Sequence, residues 1–428
     1  MSSAAHAGWA HVELGEVAGF RNGINYNKQN FGKGIPVISV KDFWERSFPQ
    51  YDSLEEINPN GVVRPEHALK DGDILLVRSN GNRELIGRSL FIRNLPARPV
   101  THSAFTIRVR FTSRLADPRF FAYLFRSPII RQVLSAQGNG ANISNLNQDI
   151  LTRLRVALPP LRAQQSIAAI LSAYDDLIEN NTRRIAILEE MARRIYEEWF
   201  VRFRFPGHKG MRMVESELGL VPEGWAIESV EDVTETLGGG TPSKTESDYW
   251  DGGDINWYSP TDLTGARTVF MEESASKITA LGLAKSSAKL FPGNSVMMTS
   301  RATLGVIAVN TTPACTNQGF IVCVPSDRMP LWLLFHWLKA NESEFEGLAT
   351  GATFKEITKG VFRKINVAVP TGQTAAAFER VVAPMMDLVL RLERKNRNLR
   401  TTRDLLLPKL ISGELDVSAM PEPEALAV

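Results

Sequence analysis

At 428 residues the chain is too long for a single hydrophobic core and calls for two or more domains. Its 43% hydrophobic and 22% charged residues are those of an ordinary globular protein, and with no apolar run of membrane-spanning length and no leader-like pattern from Met1 to Ala10, a cytoplasmic location is expected. The net charge of +2 hides an uneven split: residues 1–158 carry 20 Lys and Arg against 13 Asp and Glu, residues 209–370 carry 14 against 19, so the first stretch is the one suited to phosphates.

Residues 1–158 alternate short strand patterns with turns. Ile35 to Val40 is a β-branched run, Asp71-Gly72-Asp73 launches Ile74-Leu75-Leu76-Val77, and Ala104 to Phe111 alternates apolar with basic residues. One helix is predicted from Asp117 to Gln137, with Pro118 in its first turn and Gly138 just past its end. The fold class expected is α+β, with more strand than helix.

From Pro159 the pattern changes. Ile167, Leu171, Tyr174, Ile178, Asn181, Ile185, Leu188, Ala192, Ile195 and Trp199 recur in steps of four and three, a heptad seam on a helix of about 60 Å. Such a helix cannot bury its own stripe and needs a partner. A register shift of 211 residues supplies one, because Phe378, Val381, Met385, Leu388, Leu392, Lys395, Leu399, Thr402 and Leu406 form a second seam. The same shift pairs Gly140 with Gly351 and Pro159 with Pro370, and at offsets near 220 Gly253 to Leu263 matches Lys33 to Phe43 and Pro292 to Ser300 matches Asp71 to Ser79.

The chain therefore reads as an internal duplication of a strand-rich domain followed by a long helix. The segments are a domain at 1–158, a central helical spacer at 159–208, a second domain at 209–370, a distal helical spacer at 371–416 and a tail at 417–428 expected to be disordered. The second helix is expected from about Thr374 to Leu407, kinked or restarted by Pro384 and stopped by Pro408.

Signatures of catalysis are missing. No Gly-x4-Gly-Lys-Ser/Thr loop is present to cradle a triphosphate. The only Pro-Pro pair lies in Leu158-Pro159-Pro160-Leu161, not in the Asn/Asp/Ser-Pro-Pro-aromatic motif of an amino-methyltransferase. The only Glu-x-Lys, Glu393-Arg394-Lys395, lies mid-helix without a preceding Pro-Asp turn. Six His residues lack ligand spacing, and Cys315 and Cys323 read as small buried hydrophobes. The chain reads as non-catalytic, with no metal and no cofactor of its own.

Several stretches carry a family likeness. They are Pro222-Glu223-Gly224-Trp225, then Gly239-Gly240-Thr241-Pro242-Ser243 with Tyr249-Trp250 and Ile255-Asn256-Trp257, together with Leu158 to Gln164 entering the first helix, Ile185 to Phe200 closing it, and Leu405 to Leu415 closing the second. In this order and duplicated, they resemble the DNA-specificity (S) subunit of type I restriction-modification enzymes over nearly the whole chain. The first domain departs from the pattern, with Arg21-Asn22-Gly23 in place of the Gly-Gly-Thr-Pro-Ser stretch. The resemblance implies two target-recognition domains, each reading half of a split site in double-stranded DNA, separated by long antiparallel coiled-coil helices in a pseudo-two-fold repeat. It also implies docking of two modification (methyltransferase) subunits, which carry S-adenosylmethionine and methylate adenine N6, and of restriction/translocase subunits. The competing readings are a single-chain methyltransferase or nuclease, and a coiled-coil scaffold without a DNA role.

Base edges are read by side chains with paired donors and acceptors, Arg for guanine and Asn or Gln for adenine. The loop Arg78-Ser79-Asn80-Gly81-Asn82-Arg83 has that composition, and its counterpart carries Ser300, Arg301 and Thr303; the alternative is a plain polar turn. A second candidate is the stretch with Asn139, Asn142 and Asn145, matched by Thr353 and Lys355, against a glycine-rich helix cap. Arg88, Arg93, Arg108 and Arg110 are phosphate contacts or a solvated strand face. Asn181 on the seam fixes register or marks an exposed seam end. The aromatic cluster with Tyr196, Trp199 and Phe200 docks the modification subunit or packs under the second domain.

Overall fold

Ile74, Leu75, Leu76 and Val77 offer no polar face, and a strand of such residues has to be covered on both sides. It lies inside an antiparallel sheet ordered Ala18–Asn22, Thr106–Phe111, Ile74–Val77, Ser89–Phe91, and all four of its residues are fully buried. The computed structural model of the protein describes residues 9–43, 47–136, 146–266, 268–301, 303–351 and 355–418. They group into two units, one made of 1–180 with 395–428 and the other of 181–394.

In the first unit a three-stranded sheet (Glu55–Ile57, Phe31–Ile38, Thr101–His102) and a ribbon of Ala10–Glu13 with Arg155–Leu158 complete the strand layer. Helix Pro118–Arg126 packs Phe120, Phe121 and Phe125 into the core. The single helix expected from Asp117 to Gln137 is two, because Pro128 starts a second one, Pro128–Ala136. Proline drives the preceding residue out of helical backbone, and Ser127 is extended at φ −63°, ψ 142°. Gln137 and Gly138 lie outside the described residues.

The second unit repeats this plan with added strands. Its main sheet runs Glu235–Gly238, Phe320–Val324, Val296–Thr299, Ile307–Asn310, with Phe270–Met271 added at the edge. Ser276–Ile278, Ile255–Tyr258 and Ala314–Thr316 form the three-stranded sheet, and Ala226–Ser229 pairs with Asn366–Val369. A hairpin, Met213–Ser216 with Gly219–Pro222, occupies the stretch before Trp225.

One glycine explains the divergent motif. A Cβ on Gly239 would lie 2.0 Å from Asn317 O and 2.2 Å from Thr316 O, and one on Gly23 would lie 2.2 Å from Ser103 O and 2.3 Å from His102 O. Arg21-Asn22-Gly23 thus ends on the same close backbone crossing as the glycine pair of the second unit.

The long helices carry both units. The first, Leu161–Tyr196, continues into a π-type turn at Glu197–Val201. Along its expected seam Ile167, Leu171, Ile178, Asn181 and Ala192 are buried and the remaining positions half-buried. The second helix, Gly372–Ile411, passes Pro384 and Pro408 without a break and ends just before Gly413, whose φ of +74° favours glycine. Its buried stripe is Ala375, Phe378, Val382, Met386, Val389, Leu392, Asn396, Leu407 and Leu410. The expected seam therefore lies one residue early at Val381, Met385, Leu388, Lys395 and Leu406, and coincides with the buried stripe at Phe378 and Leu392. The doublets Val381-Val382, Met385-Met386, Leu388-Val389 and Leu406-Leu407 present two parallel apolar lines, and the buried line is the one broken by polar Asn396.

Those polar positions are satisfied within the first unit. Asn396 Nδ2 donates to Ile178 O at 3.4 Å, and Arg403 donates to Asp175 at 2.5 Å. Asp175, 4% exposed, also accepts from Tyr123 Oη at 2.9 Å and Arg126 at 2.7 Å. Burial raises the pKa of Asp175, and the Arg126 and Arg403 guanidiniums outweigh that, holding it below the usual carboxylate range. In the second unit Ala192 and Tyr196 share a core with Phe378, Val382, Met386 and Val389. Among the described residues no helix is long and apolar enough to cross a membrane.

Candidate nucleic-acid interface

Each unit ends its central strand in the same backbone joint. Arg78 N–H donates to Phe105 O at 2.8 Å, and Arg78 O accepts from Leu146 N–H at 2.9 Å. Ser300 N–H donates to Gly319 O at 2.8 Å, and Ser300 O accepts from Ile357 N–H at 3.0 Å. In both units a single residue ties the loop after the central strand to the chain just beyond the glycine-containing segment. The described residues that follow the second stretch in each domain, Leu146 and Ile357, are thus tied to the end of the central strand.

In the first unit the loop is built from Asx turns. Asn80 Oδ1 accepts from Asn82 N–H at 2.8 Å, and Asn82 Oδ1 accepts from Glu84 N–H at 2.9 Å. Asn82 is exposed, Arg78 and Asn80 are partly so, and among the described residues the buried Arg78 Nε has no hydrogen-bond partner. Arg83 opens a short 3-10 turn, Arg83–Leu85. Asn139, Asn142, Asn145 and Thr353 lie outside the described residues.

In the second unit Thr303 and Lys355 are exposed and Arg301 is partly exposed, bridging to Glu356 through the backbone. Ser300 is a correction: at 3% exposure its side chain is inside, and its part is played by its backbone. Arg301 lies against Gly319, where an added Cβ would meet its Nε at 3.4 Å. The first unit reverses the sizes, with short Ser79 and bulky Phe105. Phe105, 61% exposed at the joint, is a surface aromatic that sequence reading missed, since nothing in Ala104-Phe105-Thr106 distinguishes it from a strand residue facing the core.

Other expectations are corrected by internal partners. Arg110 makes a two-pronged ion pair with buried Asp73, both contacts at 2.6 Å, and donates to Ala68 O. Arg108 is 7% exposed and donates to Glu66 O. Arg93 pairs with Asp176 and Glu179 and lies 3.5 Å over the Phe48 ring. Arg88 is engaged as well. Arg93, Arg108 and Arg110 are therefore tied into the fold and are not an open phosphate-binding row.

The aromatic cluster resolves in favour of packing. Tyr196 is 5% exposed and stacks on His336 at 5.8 Å. Phe200 lies 4.9 Å from Phe378 and 5.8 Å from Trp225, and Trp199 lies 5.9 Å from Phe378. Tyr196 thus lies in the core of the second unit, and Trp199 and Phe200, half-buried, pack against it, which is the packing alternative of their reading.

Cys315 and Cys323 are buried free thiols, and burial pushes both up to about 12. Among the described residues no group of three or more His, Cys, Asp or Glu could hold a metal ion.

Known proteins share this arrangement. The family described as type I restriction modification DNA specificity domain matches residues 6–190 and 222–381. The specificity subunit of type I restriction enzyme HindI from Haemophilus influenzae is 24% identical over 468 aligned positions, covering 95% of this chain and 99% of that protein. The MjaIX specificity subunit from Methanocaldococcus jannaschii is 29% identical over 417 positions, covering 95% and 93%. The crystal structure of the S subunit of a type I restriction-modification system from M. genitalium superimposes with a TM-score of 0.60 at 13% identity, over 96% of this chain and 98% of that one, so the fold is shared. The chain belongs to the type I restriction-modification specificity-subunit family, the non-catalytic component that recognises DNA sequence.

Proposed function

We propose that this subunit reads a bipartite site in double-stranded DNA, the first unit one half and the second unit the other, at the loops that meet at the Arg78 and Ser300 joints. The observation that carries this reading is the recurrence of one backbone joint under different side chains: Arg78, Ser79 and Phe105 in one unit, Ser300, Arg301 and Gly319 in the other. A scaffold has no use for two different faces on one frame, whereas a reader of two unlike half-sites requires them. Arg78, Asn82 and Arg301 are the base-edge candidates. Lys355 and Thr303, both exposed, are the candidates for backbone contacts.

Arg83 and Asn80 belong to the first of these loops, and Asn139, Asn142, Asn145 and Thr353 are further candidates on their composition alone. The two long helices serve as an antiparallel coiled-coil spacer and as the platform for two modification subunits. In this reading S-adenosylmethionine is bound by those subunits, which methylate adenine N6, and restriction subunits join the same assembly.

The test is long-read methylation sequencing of a host expressing this chain with its modification subunit. A split N6-methyladenine motif is expected. An assembled complex that leaves no motif would overturn the reading.

A further inference from the structure

The loop after the first unit's central strand is fastened from outside itself. Arg131, on helix Pro128–Ala136, donates from Nη1 to Ile86 O and from Nη2 to Glu84 O, both at 2.7 Å. Both acceptors are neutral carbonyls, and among the described residues Arg131 has no carboxylate partner. Burial, aided by the nearby Arg88 guanidinium, pushes its pKa down to about 10. A cation kept in such a place has a geometric task, because its charge alone is not favoured there.

The backbone makes room for this contact. Gly87, at φ +71°, donates to Val77 O at 2.8 Å, and a Cβ on it would lie 2.8 Å from Leu134 Cβ and 3.2 Å from Arg131 Nη1. A continuous chain of hydrogen bonds then leads from the helix to the exposed loop: Arg131 to Glu84 O, Glu84 N–H to Asn82 Oδ1, and Asn82 N–H to Asn80 Oδ1. The second unit closes its loop differently. Thr299 Oγ1 donates to Thr303 O and accepts from Val306 N–H, and Gly305, at φ +84°, faces the Glu342 side chain.

We propose that Arg131 is a positioning residue for DNA reading by the first unit, its guanidinium fork fixing the Glu84–Ile86 side of the loop so that Asn82 and Arg78 hold their places against the base edges of one half-site. The inference rests on the reading of this loop as a DNA contact. Lysine cannot replace the fork, since an ammonium has no two donors in one rigid plane.

The test uses the full chain with its modification subunits and long-read methylation sequencing, comparing wild type with Arg131→Lys, Arg131→Ala, Arg78→Ala and Asn82→Ala. Arg131→Lys is expected to relax the same half of the motif as Arg78→Ala. Methylation at sites mismatched in that half should rise roughly tenfold, the scale of one weakened base contact, with the other half unchanged. The proposal is overturned if Arg131→Lys keeps the wild-type motif, or if both Arg131 variants lower methylation evenly across an unaltered motif. If Arg78→Ala and Asn82→Ala leave the motif intact, the reading of the loop itself fails. If they relax one half and Arg131→Lys does not, only the positioning role fails.

Discussion

Where Asp175 meets Arg403 in the first unit, the 211-residue shift of the duplicated sequence places Met386 and Ala192 in the second. The first pair is a buried charge network joined by Arg126 and Tyr123; the second is apolar, at 1% and 0% exposure. Helix capping diverges in the same way. Buried Gln164 accepts from Asp117 N–H and donates to Leu115 O and Pro159 O, where the shift places Ala375 in the second unit. There Glu379, one turn later, accepts from Trp332 N–H and Leu333 N–H instead. The halves share a backbone and differ in how they fail. Removing one member of a buried ion pair strands the other charge, whereas trimming an apolar contact costs contact area and cavity alone.

The comparison is sharpest where the units should respond alike. Gly23→Val and Gly239→Val each drive a side chain into carbonyl oxygens, and each is expected to cost on the order of 5 kcal/mol in its own unit, read by hydrogen exchange resolved along the chain. The next effects should separate the units. Asp175→Asn is expected to destabilise the first unit by about 3–5 kcal/mol at neutral pH. Because the folded pKa of Asp175 is depressed, its contribution is full above the unfolded carboxylate value, roughly pH 4, and is lost as pH falls through the lower folded value. The gap between wild type and Asp175→Asn should therefore close on acidification. Met386→Ala should cost about 3 kcal/mol in the second unit with a gap flat in pH. Denaturant melts between pH 7 and 3 check both, and identical pH profiles would break the contrast.

Smaller effects concern DNA. Arg301→Ala should relax one position of the second half-site by about 1–3 kcal/mol, measured by binding of the assembled complex to duplexes varied in one half at a time. Lys355→Ala should weaken binding evenly across sequences and reduce the salt slope by about one, which a titration against salt would show.

Much of this was legible in the chain itself. The duplication and the first seam stand out because Ile167, Leu171, Ile178 and Ala192 are apolar in a polar background. The second seam was displaced by one residue over most of its length because Asn396 and Arg403 lie on the buried side of the helix, and their burial depends on Ile178 O and Asp175, more than 200 positions away. Arg93, Arg108 and Arg110 illustrate the same limit. A basic residue on a strand has one appearance in sequence whether it faces phosphate or Asp73, and only the fold supplies the partner. The loop compositions were readable, but the joint that unites them is made of main-chain N–H and C=O groups, which every residue has. Arg131 carried no signal, because its acceptors are carbonyls.

Residues 395–411 belong to the first unit yet are synthesised after the whole of the second. At ordinary elongation rates the ribosome needs about 10–40 s to make the intervening stretch. For that interval Ile167 and Leu171 lack Leu407, Leu410 and Ile411, and Asp175 has Arg126 without Arg403. A message cut short in its second half therefore releases no finished first unit, only a chain with an open apolar seam, the kind of species that proteases clear. The order of the segments along the chain makes completion of the first unit conditional on translation of the second.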